Sequence, residues 1–171
     1  ARNSFGPSAQ SGPFLGLTTP NSPSGLAVSG PTETALTLSW NASTSATSYD
    51  LYRDGALVFA DTVPNLTYTD AALATGTSYG YTVLAKNTSG SGSESGAVTG
   101  TTIPATPGNL AASGTTETSI TLTWDSEVGA TSYQLLRDAA QIYSGLAQTF
   151  TDTGLTAATS YDYTVKSINS S

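Results

Sequence analysis

The sequence predicts an all-β protein of two tandem β-sandwiches, and three observations carry that expectation. The first is an internal repeat. At a shift of 84 residues, positions 32–40, ending in Trp40, match 116–124, ending in Trp124, and Arg53-Asp54 meets Arg137-Asp138. After a two-residue deletion the match resumes at a shift of 82, pairing Tyr68 with Phe150, Asp70 with Asp152 and Leu73 with Leu155. Repetition at a fixed period marks a duplicated structural unit. The second observation is alternation: Leu36-x-Leu38-x-Trp40 and Tyr79-x-Tyr81-x-Val83-x-Ala85 place large side chains on one face of a pleated strand and small polar ones on the other. The third is composition, with 54 Ser and Thr among 171 residues and nine Tyr, a bias toward strand-forming side chains.

Along the first repeat, strands are expected near 25–28, 35–40, 48–53, 57–60, 66–69, 78–86 and 96–102. Asp54-Gly55 joins the third to the fourth as a tight hairpin, because a primed turn needs positive φ, which Gly supplies at little cost. The second repeat reproduces the series, with Ile120-x-Leu122-x-Trp124 and Tyr161-x-Tyr163-x-Val165, as far as a strand at 160–167. No window sustains a 3.6-residue period, so helices are expected to be nearly absent.

What the chain lacks narrows its chemistry. With no His, Cys or Met there is no imidazole base, no thiolate nucleophile and no ordinary zinc, haem or iron–sulfur site, so no enzyme activity and no cofactor is expected. Five cations against twelve carboxylates cannot neutralise a run of phosphates, which counts against nucleic acid and anionic membrane surfaces as partners. The apolar runs are far shorter than the ~20 residues that cross a bilayer, and the first residues do not form a signal peptide, so no membrane insertion is expected in this segment. A chain beginning at Ala1 without Met reads as a processed product or as a window on something longer, and both point to secretion.

Each repeat resembles a fibronectin type III domain. The residues carrying the resemblance are Pro23 and Pro107 near the first strand, Trp40 and Trp124 on the second, Tyr49 and Tyr133 on the third, and Leu73 and Leu155 ahead of Tyr79 and Tyr161. The resemblance implies seven antiparallel strands, A to G, in two sheets. It also implies Trp40 and Trp124 in the core and Tyr79 and Tyr161 as corner tyrosines bonding back to the preceding loop. It says little of function, since this sandwich serves as spacer, adhesive module and structural unit alike.

The ends fall out of register with the repeat. Residues 21–103 form a complete domain, whereas 104–171 stop after strand F, one strand short. Residues 1–20 align without a gap, at a shift of 84, with the F–G loop and strand G of the first repeat, so they read as an orphan G-type strand. A lone strand is unstable in water, and a sandwich without G exposes a sheet edge and a strip of core. Three explanations follow. The strand 13–18 (Pro13, Phe14, Leu15, Gly16, Leu17, Thr18) could complete the second sandwich of another copy, in an acceptor groove along Tyr161, Tyr163, Val165 and Ser167, and so propagate a filament. The chain could instead be a window on a longer tandem array. Or the strand could fold back onto its own second domain. Phe14, Leu15 and Leu17 stand where the internal strand has Val98, Thr99 and Thr101, and the added apolar burial favours strand donation between copies.

The remaining candidates carry little chemistry. Asp50, Asp54, Asp61, Asp125 and Glu127 show no calcium-loop spacing and read as solvated turn residues. Arg53-Asp54-Gly55 holds the letters of an integrin tripeptide in the wrong order. Asn41, Asn65, Asn87 and Asn169 fit the N-glycosylation pattern, making glycans candidate surface partners. The linker 102–107 is short and stiffened by Pro, so the two sandwiches should form a semi-rigid rod. The reading these observations favour is an extracellular, pilus-like filament subunit, polymerising by strand donation with other copies of itself. The alternative is a spacer or binding array within a larger secreted enzyme or adhesin.

Overall fold

A computed structural model describes residues 12, 16–62 and 64–170. Among them there are fourteen strands and no helix. The first sandwich sets a sheet of β1 (Ala27–Ser29), β2 (Leu36–Ser39) and β5 (Thr67–Asp70) against a sheet in the order β4 (Ala56–Ala60), β3 (Ser48–Arg53), β6 (Ser78–Asn87), β7 (Gly90–Glu94), with β8 (Val98–Thr101) also on β6. All pairings are antiparallel. The period-2 pattern explains the core. Leu36 and Leu38 point inward from β2, Tyr49 and Leu51 from β3, and Tyr81, Val83 and Ala85 from β6, all essentially excluded from solvent. Trp40 continues the ladder one residue past β2, its N–H bonded to the Leu66 carbonyl at 3.0 Å, and lies 4% exposed against Tyr49.

The second sandwich repeats the plan. β9 (Ala111–Thr115), β10 (Ser119–Thr123) and β13 (Thr149–Thr153) form one sheet in the order β13-β10-β9. β12 (Ala140–Gly145), β11 (Ser132–Arg137) and β14 (Tyr163–Ile168) form the other, in the order β12-β11-β14. Leu122, Trp124, Tyr133, Leu135 and Val165 make its core.

Two departures from expectation have physical causes. The strand expected at 96–102 is β8, at 98–101, and an unexpected strand, β7, comes before it: both pair with β6, and Ser95 sits between them, its N–H donating to the Val83 carbonyl (2.8 Å) and its Oγ accepting from the Val83 N–H (3.0 Å). The last strand of the second repeat begins at Tyr163, not at 160. In the first sandwich, residues 78–80 run past the end of β3, where Asp54 bonds only Gly80, and the strand that pairs with them is β8, through Ser78↔Thr101, Tyr79↔Gly100 and Gly80↔Thr99. No strand among the described residues stands at that place beside β14, so residues 160–162 have no ladder to join. Core exposure follows the same cause: Val83 is 0% exposed and its counterpart Val165 8%.

Candidate functional site

The repeated arrangement that draws ionisable side chains together lies at the corner where the chain crosses between the sheets, from β5 to β6 and from β13 to β14. In the first sandwich Arg53, at the end of β3, aims Nη1 at both carboxylate oxygens of Asp70, 3.0 and 2.9 Å away, at the end of β5. Tyr81 of β6 donates its hydroxyl proton to the same carboxylate at 2.8 Å. The guanidinium also lies over the Tyr79 ring, 5.5 Å from its centroid. The second sandwich rebuilds the set from Arg137, Asp152, Tyr163 and Tyr161: 3.0 and 2.9 Å for the ion pair, 2.8 Å for the Tyr163 hydroxyl and 5.4 Å for the cation–π contact. Asp70 and Asp152 are buried, and a buried carboxylate persists because each of its oxygens is bonded.

Electrostatics at the corner resist titration. Burial first, then the hydrogen bond to Asp70, pushes the Tyr81 hydroxyl up from its usual range. Burial, then the hydrogen bond to Asp152, pushes Tyr163 up to about 12. Both phenols therefore remain donors throughout the physiological range, and both arginines are raised further by their carboxylate partners. Nothing here resembles an acid–base pair set for proton transfer. Among the described residues no group of three or more His, Cys, Asp or Glu side chains is placed to hold a metal ion.

Tyr79 and Tyr161 act at the neighbouring turn. The Ala74 N–H donates to the Tyr79 hydroxyl at 2.9 Å and the Thr156 N–H to the Tyr161 hydroxyl at 2.9 Å, each reaching back five residues into the preceding loop. Trp124, like Trp40, is buried, 5% exposed, and the indole N–H of each has no hydrogen-bond partner among the described residues. The alignment already paired Arg53 with Arg137, Asp70 with Asp152 and Tyr81 with Tyr163. Their convergence was missed because Arg53-Asp54 reads as turn chemistry. An ionisable residue repeated at an inward-facing position of an alternating strand was the available signal.

The expected strand-exchange residues are placed as follows. Pro13, Phe14 and Leu15 lie outside the described residues. Gly16, Leu17 and Thr18 join no strand and are exposed, and the carbonyls of Leu17 and Thr18 accept hydrogen bonds from Ser89 Oγ (2.6 Å) and Asn87 Nδ2 (2.8 Å) of the same chain's first sandwich. Along β14, the Tyr163 hydroxyl goes to Asp152, Val165 enters the core and Ser167 Oγ donates to the Ala105 carbonyl. Of the Asn-x-Ser/Thr positions, Asn41 donates to Ser24 Oγ (3.3 Å) and Asn169 to the Thr102 carbonyl (2.9 Å), while Asn65 lies exposed with its N–H on Asp61.

Two face-to-face antiparallel sheets, an inward Trp and a tyrosine corner define an immunoglobulin-like β-sandwich, here present twice. Residues 21–101 match the model of the fibronectin type III domain family, and the second sandwich repeats that fold, so the structure is a tandem of fibronectin type III-like domains. A two-domain fibronectin type III segment from chicken tenascin shares the fold at a TM-score of 0.52 and 21% identity, covering 87% of this chain and 92% of that one. Exoglucanase B of Cellulomonas fimi is 38% identical over 156 residues, 79% of this chain and 14% of the relative. Chitinase A1 of Niallia circulans is 36% identical over 170 residues, 90% and 24% respectively. A poly(3-hydroxybutyrate) depolymerase of Ralstonia pickettii is 46% identical over 83 residues, 48% of this chain and 17% of the relative. The chain thus spans less than a quarter of the length of these relatives.

These relatives overturn the filament reading. They are named for polymer breakdown, and they carry the matching segment as a minor part of a much longer polypeptide. The out-of-register ends did not discriminate, because a window on a tandem array shows the same ends as a strand-exchanging subunit. The comparisons favour the array.

Proposed function

We propose that the chain is a non-catalytic spacer, a pair of fibronectin type III domains (21–103 and 104–171) holding other parts of a larger secreted polymer-degrading enzyme at a set distance. The observation that carries this is the match of both repeats, as one stretch, to small portions of an exoglucanase and a chitinase. Polymers of that kind are too large to enter a cell, which supports an extracellular location. The surface agrees with a passive role. The large hydrophobic side chains exposed among the described residues are Leu17, Leu57, Ile103, Val128 and Leu146, none of them an aromatic platform for a sugar ring. The clefts lined by Val28, Leu36 and Gly100 and by Ile103, Pro104 and Ile168 contain no ionisable side chain.

The test is to incubate the purified chain with microcrystalline cellulose, chitin and poly(3-hydroxybutyrate) granules. A spacer stays in the supernatant and releases no soluble product. Retention on any one polymer would make it a binding module, and product release would make it an enzyme.

A further inference from the structure

The segment between the two sandwiches is short, and its peptide groups are tied to both of them. Thr102 N–H donates to the Thr77 carbonyl (3.0 Å), and its fully buried Oγ1 donates to the Ala74 carbonyl (2.7 Å). Ile103 N–H donates to the Thr32 carbonyl, and the Ile103 carbonyl accepts from Gly76 N–H, both at 3.0 Å. Those bonds belong to the first sandwich. The second takes the same segment from its other side: Asn169 Nδ2 donates to the Thr102 carbonyl at 2.9 Å and Ser167 Oγ to that of Ala105. Three of the four residues 102–105 are thus tied by hydrogen bonds, and the ring of the fourth, Pro104, fixes its φ, which leaves little freedom to swivel.

Beside this linker the two sandwiches touch backbone to backbone. A Cβ on Gly76 would fall 2.6 Å from the Val128 carbonyl carbon, and one on Gly129 would fall 2.6 Å from Gly76 Cα. Neither position tolerates a side chain in this arrangement. Both residues are left-handed, at φ of +56° and +72°, but that conformation does not by itself demand Gly. The positions equivalent by repeat, Ala158 and Ser45, hold φ of 55° and 64° with a Cβ present. Glycine occurs at both positions only where the first sandwich's corner meets the second sandwich's loop.

We propose that the Gly76–Gly129 backbone contact and the Asn169 clasp on the linker lock the two sandwiches into one rigid joint, so that the pair is a strut of fixed angle and not two beads on a tether. The joint concerns the chain alone and stands whether or not the chain is a spacer. Half of the clasp recurs at the other end, where Asn87, the repeat equivalent of Asn169, holds the Thr18 carbonyl as Asn169 holds that of Thr102.

Residual dipolar couplings of the isotopically labelled chain in a dilute aligning medium test the joint. The wild-type couplings of both sandwiches fit one alignment tensor. In the double variant Gly76→Ala, Gly129→Ser, which installs the residues the other repeat carries at the same backbone conformation, couplings within each sandwich persist. The two tensors then diverge in magnitude and direction. Asn169→Ala, which removes the clasp, shifts the relative orientation in the same assay while couplings within each sandwich persist. Two independent tensors in the wild type, or a single unchanged tensor in the double variant, would overturn the proposal.

Discussion

Arg53 and Asp70, seventeen positions apart and on different sheets, meet through one guanidinium nitrogen shared between both carboxylate oxygens, at 3.0 and 2.9 Å. The pair bridges the sandwich at its corner, with Tyr81 closing the third side. Removing the carboxylate leaves a half-buried cation and a buried hydroxyl without their acceptor. Asp70→Ala is therefore expected to cost about 2–3 kcal/mol in denaturant unfolding of the first sandwich. Tyr81→Phe, which loses a single hydrogen bond, should cost about 1 kcal/mol. Asp152→Ala acts in the same direction on the second sandwich. An Asp70→Ala variant as stable as wild type would show the pair to be incidental.

The two raised phenols make stability sensitive to base. An unfolded Tyr loses its proton near pH 10, whereas Tyr163 in the fold holds it to about 12 and Tyr81 is displaced in the same direction. Above pH 10 the unfolded chain is the form that sheds protons, so it is favoured increasingly. The stabilisation is fully present below pH 10 and is lost as pH rises through the folded value. Thermal midpoints should hold level from pH 7 to 9 and fall between 10 and 12. In the Tyr81→Phe, Tyr163→Phe double variant that fall should be shallower, and an unchanged slope would refute the assignment.

The hairpin turns differ between repeats in a way that predicts a stabilising change. Asp54 and Gly55 take φ of 50° and 80°, a primed turn in which Gly occupies its favoured region. The second repeat makes the same turn from Asp138 and Ala139, at 49° and 66°, so Ala139 bears a left-handed conformation with a Cβ. Ala139→Gly relieves that strain, less the added freedom of the unfolded chain, and should stabilise the second sandwich by about 0.5–1 kcal/mol. Calorimetry of the wild type and the Ala139→Gly variant reads the difference directly, and an unchanged or lowered transition in the variant would refute it.

The contrast between those turns illustrates how far the sequence was legible. Positions with large, alternating side chains announced themselves: Trp40, Trp124, the tyrosines of β6 and most strand limits follow from the period of the pleat. β7 did not, because Gly-Ser-Gly-Ser-Glu has neither alternation nor apolar content. It is a strand because β6 runs on and offers it a partner. Asp70 and Asp152 were legible as aligned letters but not as a site, since the partner arginines arrive from another sheet. The role of the ends was illegible in principle, for covalent continuity and strand exchange leave the same residues at each terminus.

The exposed side of β14 gives the sharpest difference between the two sandwiches. Val83 N–H and C=O both point toward Ser95, between β7 and β8 on the flanking side. Alternation places the equivalent groups of Val165 on the side of β14 away from β11, where no strand among the described residues stands. Hydrogen bonding and burial together set amide protection, and Val165 has less of both. Hydrogen exchange on the intact chain should therefore find the Val165 amide exchanging at least about 100-fold faster than that of Val83. The Thr164 and Lys166 amides, which face β11, should stay protected nearly as well as Thr82 and Leu84. Equal protection at Val83 and Val165 would mean that another segment covers the edge in solution.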